Sequence, residues 1–150
     1  MDKTVRTFDP AQVKITLALP TSATVLSGYA DGTFVKITRS GDAFEKKKGA
    51  DGTVDRINKN AYDFEVEITL KQTSPYNAIL SGILAADQLS NNGVFPLTIV
   101  DLSGPAAAPS TFFAPQAWIM KDPEVDYGDA LKNHTWKFAT GAGANFIAGN

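Results

Sequence analysis

The chain has 150 residues, is 43% hydrophobic and 20% charged, and carries a formal net charge of -2. That length suits one domain burying roughly two thirds of its unfolded surface, and that charge excludes a generally basic coat for nucleic acid. The absence of cysteine removes disulfides, thiol chemistry and thiolate zinc sites. The N-terminal MDKTVRTFDPAQVKITLAL lacks the unbroken apolar run of a signal peptide, and no stretch approaches the ~20 apolar residues that span a bilayer. Synthesis and folding in the cytoplasm, without a membrane anchor, are therefore expected.

QVKITLAL (12–19) sets Val13, Ile15, Leu17 and Leu19 against Lys14, Thr16 and Ala18, the period-2 pattern of a half-buried strand ended by Pro20. Asp31-Gly32 supplies a turn, and TFVKITRS reads as a second strand. FEKKKGADGTVDRINKN (44–60) then interrupts the pattern with a long polar excursion. YDFEVEITLKQ alternates again, with Tyr62, Phe64, Val66, Ile68 and Leu70 on one face and Asp63, Glu65, Glu67 and Thr69 on the other.

The period changes at TSPYNAILSGILAADQLS. Ser74 is a suitable N-cap, Pro75 suits the first helical position, and Tyr76, Ile79, Leu80, Ile83 and Leu84 form one stripe of a helix over about 74–89. Full burial of that stripe is worth on the order of 10 kcal/mol before entropy. Asn91-Asn92-Gly93 ends the helix. FPLTIVDLS is the next strand, GPAAAPS a loop, and TFFAPQAWIMKDP a strand in which Pro115 marks an edge or bulge. The loop DPEVDYGDALKN leads to HTWKFAT, a last strand, while GAGANFIAGN is too rich in glycine to assign. Six or seven strands and one helix predict an α+β fold, mainly antiparallel β, forming a single domain over 1–150 with an extended polar loop at about 40–60.

The chemical readings of these elements fail on spacing. A P-loop needs G-x-x-x-x-G-K-[ST], but Gly49 is followed by ADGTVDR with Gly52 too early. Asp51, Thr53 and Asp55 alternate like calcium ligands, yet the glycine and terminal glutamate of an EF-hand loop are missing. His134 is the only histidine, and no serine lies in a nucleophile elbow. Neither catalytic residues nor a metal or cofactor are expected. Asp63, Glu65 and Glu67 read as a solvated or partner-facing strip, and Asp122, Glu124, Asp126 and Asp129 as turn and solubility residues. Lys46, Lys47 and Lys48 are adjacent, with no interleaved aromatics, and the neighbouring acids Glu45, Asp51 and Asp55 cancel much of their charge, which weakens a nucleic-acid reading. A solvated mobile loop and a protein-contact arm both remain open for 44–60.

Gly49-Ala50-Asp51-Gly52, followed by an alternating strand and then Leu70, Thr73, Ser74, Pro75, Asn77 and Leu80, resembles the tail tube proteins of contractile-tailed bacteriophages. Shorter echoes lie at Pro123 to Tyr127 and at Trp136 and Phe138. The resemblance implies a β-barrel or sandwich with one flanking helix. It further implies homo-hexameric rings stacked into a hollow tube that conducts double-stranded DNA into the host without binding it specifically. A virion location follows, with tail sheath, baseplate and terminator proteins as partners. The long loop of that family reaches a neighbouring subunit. Here it corresponds to 40–60, with Lys46, Lys47, Lys48, Asp51, Asp55, Arg56 and Lys59 as interface candidates. Asp63, Glu65 and Glu67 are the candidates for the channel lining. Type VI secretion tube proteins are similar in fold and give the nearest alternative. A monomeric β-sandwich that binds carbohydrate or protein is another, which an exposed platform from Trp118, Trp136 or Tyr127 would favour. A hydrolase built on Asp/Glu pairs is the last.

Overall fold

The computed structural model describes residues 5–19, 23–103 and 109–148. The chain adopts the expected class, α+β and mainly antiparallel β. Its strands are β1 (Val13–Ala18), β2 (Ala23–Val25), β3 (Val35–Arg39), β4 (Phe44–Lys48), β5 (Val54–Asn58) and β6 (Asp63–Lys71). After the helix α1 (Tyr76–Ser90) come β7 (Phe95–Asp101), β8 (Ser110–Lys121), β9 (Asn133–Ala142) and β10 (Ala144–Phe146). The strand ending expected at Pro20 and most of the GPAAAPS loop lie outside the described residues.

One sheet runs in the order β2-β1-β7-β8-β9-β6-β3, and β10 adds to β8. Alternation assigns its inner face: Ile15 and Leu17, Leu97 and Ile99, Phe112 and Ala114, Trp136 and Phe138, and Phe64, Val66, Ile68 and Leu70 all fall in one buried cluster. The sheet curls into a barrel around them. Phe64 of β6 meets Phe112 of β8 edge-on at 5.1 Å although β9 lies between those strands. Val13 of β1 and Ile37 of β3, near opposite ends of the strand order, line one small cavity of about 150 Å³. Pro115 sits where the β7–β8 register slips, a bulge that its missing N–H favours.

The segment 26–30 straps the barrel at one end. Leu26 N–H donates to Ile15 O (2.9 Å), Ala30 N–H to Thr69 O (3.2 Å), and Lys71 N–H to Gly28 O (2.9 Å). Gly28 has φ +75, and a Cβ there would lie 2.7 Å from Ser74 Oγ, so both conformation and space require glycine.

Two expectations change, while the helix keeps its place. The helix runs from Tyr76 to Ser90, close to its expected span; at its start the Ser74 hydroxyl donates to Ser27 O (3.0 Å) and accepts from Tyr76 N–H (3.4 Å), while Asn91 in the left-handed region (φ 58) ends it. Of its stripe only Leu80 is fully buried; Tyr76, Ile83 and Leu84 are half-covered and Ile79 is 40% exposed. Its packing is therefore worth less than full burial of five side chains. The span 40–60 is no unpaired loop but a hairpin, β4–β5, in a two-stranded sheet of its own. The glycine-rich tail also pairs, as the end of β9 and as β10, along β8.

Candidate functional site

The hairpin grows out of the β3–β6 ribbon. Ser40 N–H donates to Asp63 O (3.1 Å), the Arg39 guanidinium donates to Ala61 O and covers the Phe64 ring, and Lys59 N–H donates to Ala43 O (3.0 Å). Asn60, at φ 53, turns the ribbon at this neck. Every residue of β5 is exposed, and so is all of β4 but the half-buried Glu45, so the ribbon does not lie on the barrel.

GADG is the hairpin's tip. Gly52 takes φ +87, and Gly49 N–H donates to Thr53 O (2.8 Å). The Asp51 carboxylate accepts from Thr53 Oγ1 (2.7 Å) and Thr53 N–H (3.1 Å), and these bonds hold it below the usual carboxylate range. The carboxylate that alternates with Thr53 and Asp55 like a calcium ligand is thus consumed in its own turn.

Register divides the hairpin's charges. Phe44 opposes Asn58, Lys46 opposes Arg56 and Lys48 opposes Val54, which puts them on one face. That face carries cations and apolar groups with no acid, and Arg56 stacks on Phe44 at 4.5 Å. The other face is mixed: Lys47 opposes Asp55, Glu45 opposes Ile57, and Glu45 accepts from Lys59 at 3.1 Å. Lys46, Lys47, Lys48, Asp51, Asp55, Arg56 and Lys59 are therefore together in space, but sorted by sign in a way sequence order hides.

Asp63, Glu65 and Glu67 do share the outward face of β6. Glu67 lies between Lys36 of β3 and Lys137 of β9, with Lys137 Nζ at 3.9 Å, so the strip is less acidic than its strand alone. Glu65 lies between Thr38 and Ala139, and among the described residues no ion pair reaches it or Asp63. These flanking lysines were missed because strand pairing, not spacing, brings them there. His134 lies near the start of β9, with a buried Nδ1. Trp136 is buried and Trp118 half-buried, leaving Tyr127 exposed, so the three form no aromatic platform. No group of three or more His, Asp or Glu among the described residues could hold a metal ion, and no helix is long and apolar enough to cross a membrane.

Two further surfaces stand out. Ile79, Gly82, Ile83 and Ala86 of α1, with Leu19 and Val94, line an apolar groove of about 360 Å³. The β8–β9 connection carries Asp122, Glu124, Asp126 and Asp129 with no lysine or arginine between residues 122 and 131, beside a groove of about 480 Å³.

No protein-family model matches the chain. It is 28% identical over 134 residues to "Structural protein ORF10" of Pseudomonas phage KPP10, a span covering 87% of this chain and 75% of that protein. Its fold is similar to that of the tube-terminating cap of the anti-feeding prophage, with a TM-score of 0.63 at 10% identity, over 99% of this chain and 97% of the other. The structural likeness agrees with the fold that the resemblance drawn from the sequence implies, and the sequence relative is a phage structural protein.

Proposed function

We propose that the chain is a non-enzymatic structural subunit of a contractile phage tail, a virion component made in the host cytoplasm. Its hexameric rings stack into a hollow tube through which double-stranded DNA passes, ending against terminator and baseplate proteins and surrounded by sheath. The observation that carries this reading is the self-standing charged hairpin: a polar ribbon outside the core has no folding role, but suits contact with another copy. Lys46, Lys47, Lys48, Asp51, Asp55, Arg56 and Lys59 make that contact. β2 and β3 end the strand order and each pairs on one side within the sheet, leaving edges for neighbours in the ring. Asp63, Glu65 and Glu67 face the channel, where carboxylates deny DNA the phosphate contacts that would hold it.

Similarity to a tube-terminating cap over nearly the whole of both chains favours a second reading, a ring that closes the tube rather than repeating along it. Negative-stain microscopy of the purified chain at high concentration separates them. Six-fold rings growing into tubes support the tube subunit, and isolated rings that never grow support the cap. A strictly monomeric species by light scattering overturns both. A secretion-type tube would carry protein cargo, and DNA retained inside assembled particles argues against it.

A further inference from the structure

The hairpin and the acidic β8–β9 connection lie at opposite ends of the barrel. β6 fixes this: its first residue, Asp63, joins the hairpin neck through Ser40, while its last, Lys71, pairs with Asn133, just after the acidic connection. That connection is tied down there, since Gln72 Oε1 accepts from Lys132 N–H (2.9 Å) and Gln72 N–H donates to Lys132 O (3.1 Å). A nine-residue strand at roughly 3.3 Å per residue keeps the two ends about 30 Å apart. The two charged surfaces therefore cannot meet within one copy.

They are complementary in sign and in apolar content. One hairpin face presents Lys46, Lys48 and Arg56 with Phe44 (48% exposed) and Val54 (58%). The connection presents Asp122, Glu124, Asp126 and Asp129 with Val125 (55%) and Tyr127 (84%). Asp126 has an ion partner at 3.9 Å in Lys132, but Glu124 and Asp129 have none among the described residues. Lys121 and Lys137 also line the groove beside the connection, but they lie at its base in β8 and β9, and large exposed apolar groups rimmed by polar and charged side chains mark an interaction surface.

We propose that the cationic hairpin face of one copy docks on the acidic β8–β9 connection of a second copy placed end to end with it along the barrel, so that the contact is axial, between rings. This rests on the tail reading above and deepens it by naming both halves of the contact. Two different patches on one chain make a head-to-tail interface, which repeats without closing on itself and so extends a stack.

Charge exchange tests the pairing. Lys46→Glu/Arg56→Glu and Glu124→Lys/Asp126→Lys alter exposed side chains only, and circular dichroism verifies that each variant folds. Each alone is expected to raise the concentration at which stacks form by about tenfold or more, and the fourfold variant carrying both is expected to recover most of that loss. Because the chain has no native cysteine, Arg56→Cys/Asp126→Cys gives a second readout. Oxidation within stacks should yield a ladder of disulfide-linked chains longer than one ring. Stacks indifferent to both reversals, a fourfold variant no better than either half, or disulfides closing at ring size would each overturn the proposal while leaving the tail reading intact. If instead the hairpin variant stacks normally but loses retention of a mixed-sequence DNA duplex, the face is a nucleic-acid contact and the proposal is wrong. A wild-type chain that never assembles removes the tail reading and this inference with it.

Discussion

The indole of Trp136 donates its Nε1–H to Asn77 Oδ1 over 3.0 Å, fastening β9 to the first turn of α1. The amide nitrogen of the same Asn77 donates to Lys71 O (2.9 Å) and Ser74 O (3.1 Å), gathering the turn that joins β6 to the helix. One side chain thus serves two turns of backbone and a buried aromatic. Asn77→Ala should cost about 2–3 kcal/mol, since it strands a buried donor that water reaches poorly. Urea denaturation should show a lower midpoint with an unchanged slope. In a cycle with Trp136→Phe the two losses should overlap by about 1 kcal/mol; strict additivity would mean the indole does not depend on Asn77.

The hairpin can be excised without touching the core. A Cβ on Gly41 would stand 3.9 Å from Ala61 Cβ, so the neck is already nearly closed and residues 42–60 are replaceable by a short turn. None of the deleted residues belongs to the core cluster. Thermal stability should change by the equivalent of about 1 kcal/mol or less, while assembly by light scattering is lost. A broadened or strongly lowered thermal transition would show instead that the hairpin supports the barrel.

Most of the barrel was legible because period-2 alternation survives in β1, β6, β7 and β9, and each alternating apolar residue named there from Ile15 to Phe138 is buried or packed on the core, Tyr62 alone excepted at 51% exposed. The hairpin was not legible: β4 and β5 bury neither face, so their sequence obeys no hydrophobic period and reads as a loop. The candidate contact residues were found by charge, but their sorting into a cationic and a mixed face is a property of the Lys46–Arg56 register. Ser74 was legible at the helix start, where its hydroxyl accepts from Tyr76 N–H, but its bond to Ser27 O and its close approach to Gly28 are tertiary and carry no local signal.

The tip of the hairpin should respond to acid. Thr53 Oγ1–H and Thr53 N–H both donate to the Asp51 carboxylate and hold its pKa below the ordinary value of 3.8. The folded turn favours the charged form, so its contribution is complete above pH about 4 and is lost as pH falls through the lowered value. Thr53→Val removes the strongest donor, and the Asp51 titration followed by NMR should move back up toward the ordinary value. An unmoved midpoint would show that the hydroxyl plays no part.

Tyr29 should set an alkaline limit. Its hydroxyl donates to Leu26 O (2.8 Å) and its ring stacks on Phe34 at 4.8 Å, and burial pushes its pKa from 10.0 up to about 12. The fold thus keeps a proton that the unfolded chain releases, so this contribution is whole below pH 10 and declines as pH rises toward 12. Tyr29→Phe should lose about 1 kcal/mol at neutral pH with its hydrogen bond, yet fall less steeply in alkali. Equal alkaline slopes for the two proteins would assign the decline to other groups.

The outward acids of β6 are not equivalent, and their reversal should separate stability from DNA passage. Glu67 stands between Lys36 and Lys137, so Glu67→Lys aligns three cations across adjacent strands and should cost about 0.5–1 kcal/mol. Asp63→Lys and Glu65→Lys should stay within about 0.5 kcal/mol, since both are exposed and neither has an ion pair among the described residues. Assembled tails carrying Asp63→Lys/Glu65→Lys should nevertheless release DNA more slowly, and added salt should relieve the delay by screening the new phosphate contacts. Ejection at the normal rate at low salt would place this face away from the channel, on the outside of the ring.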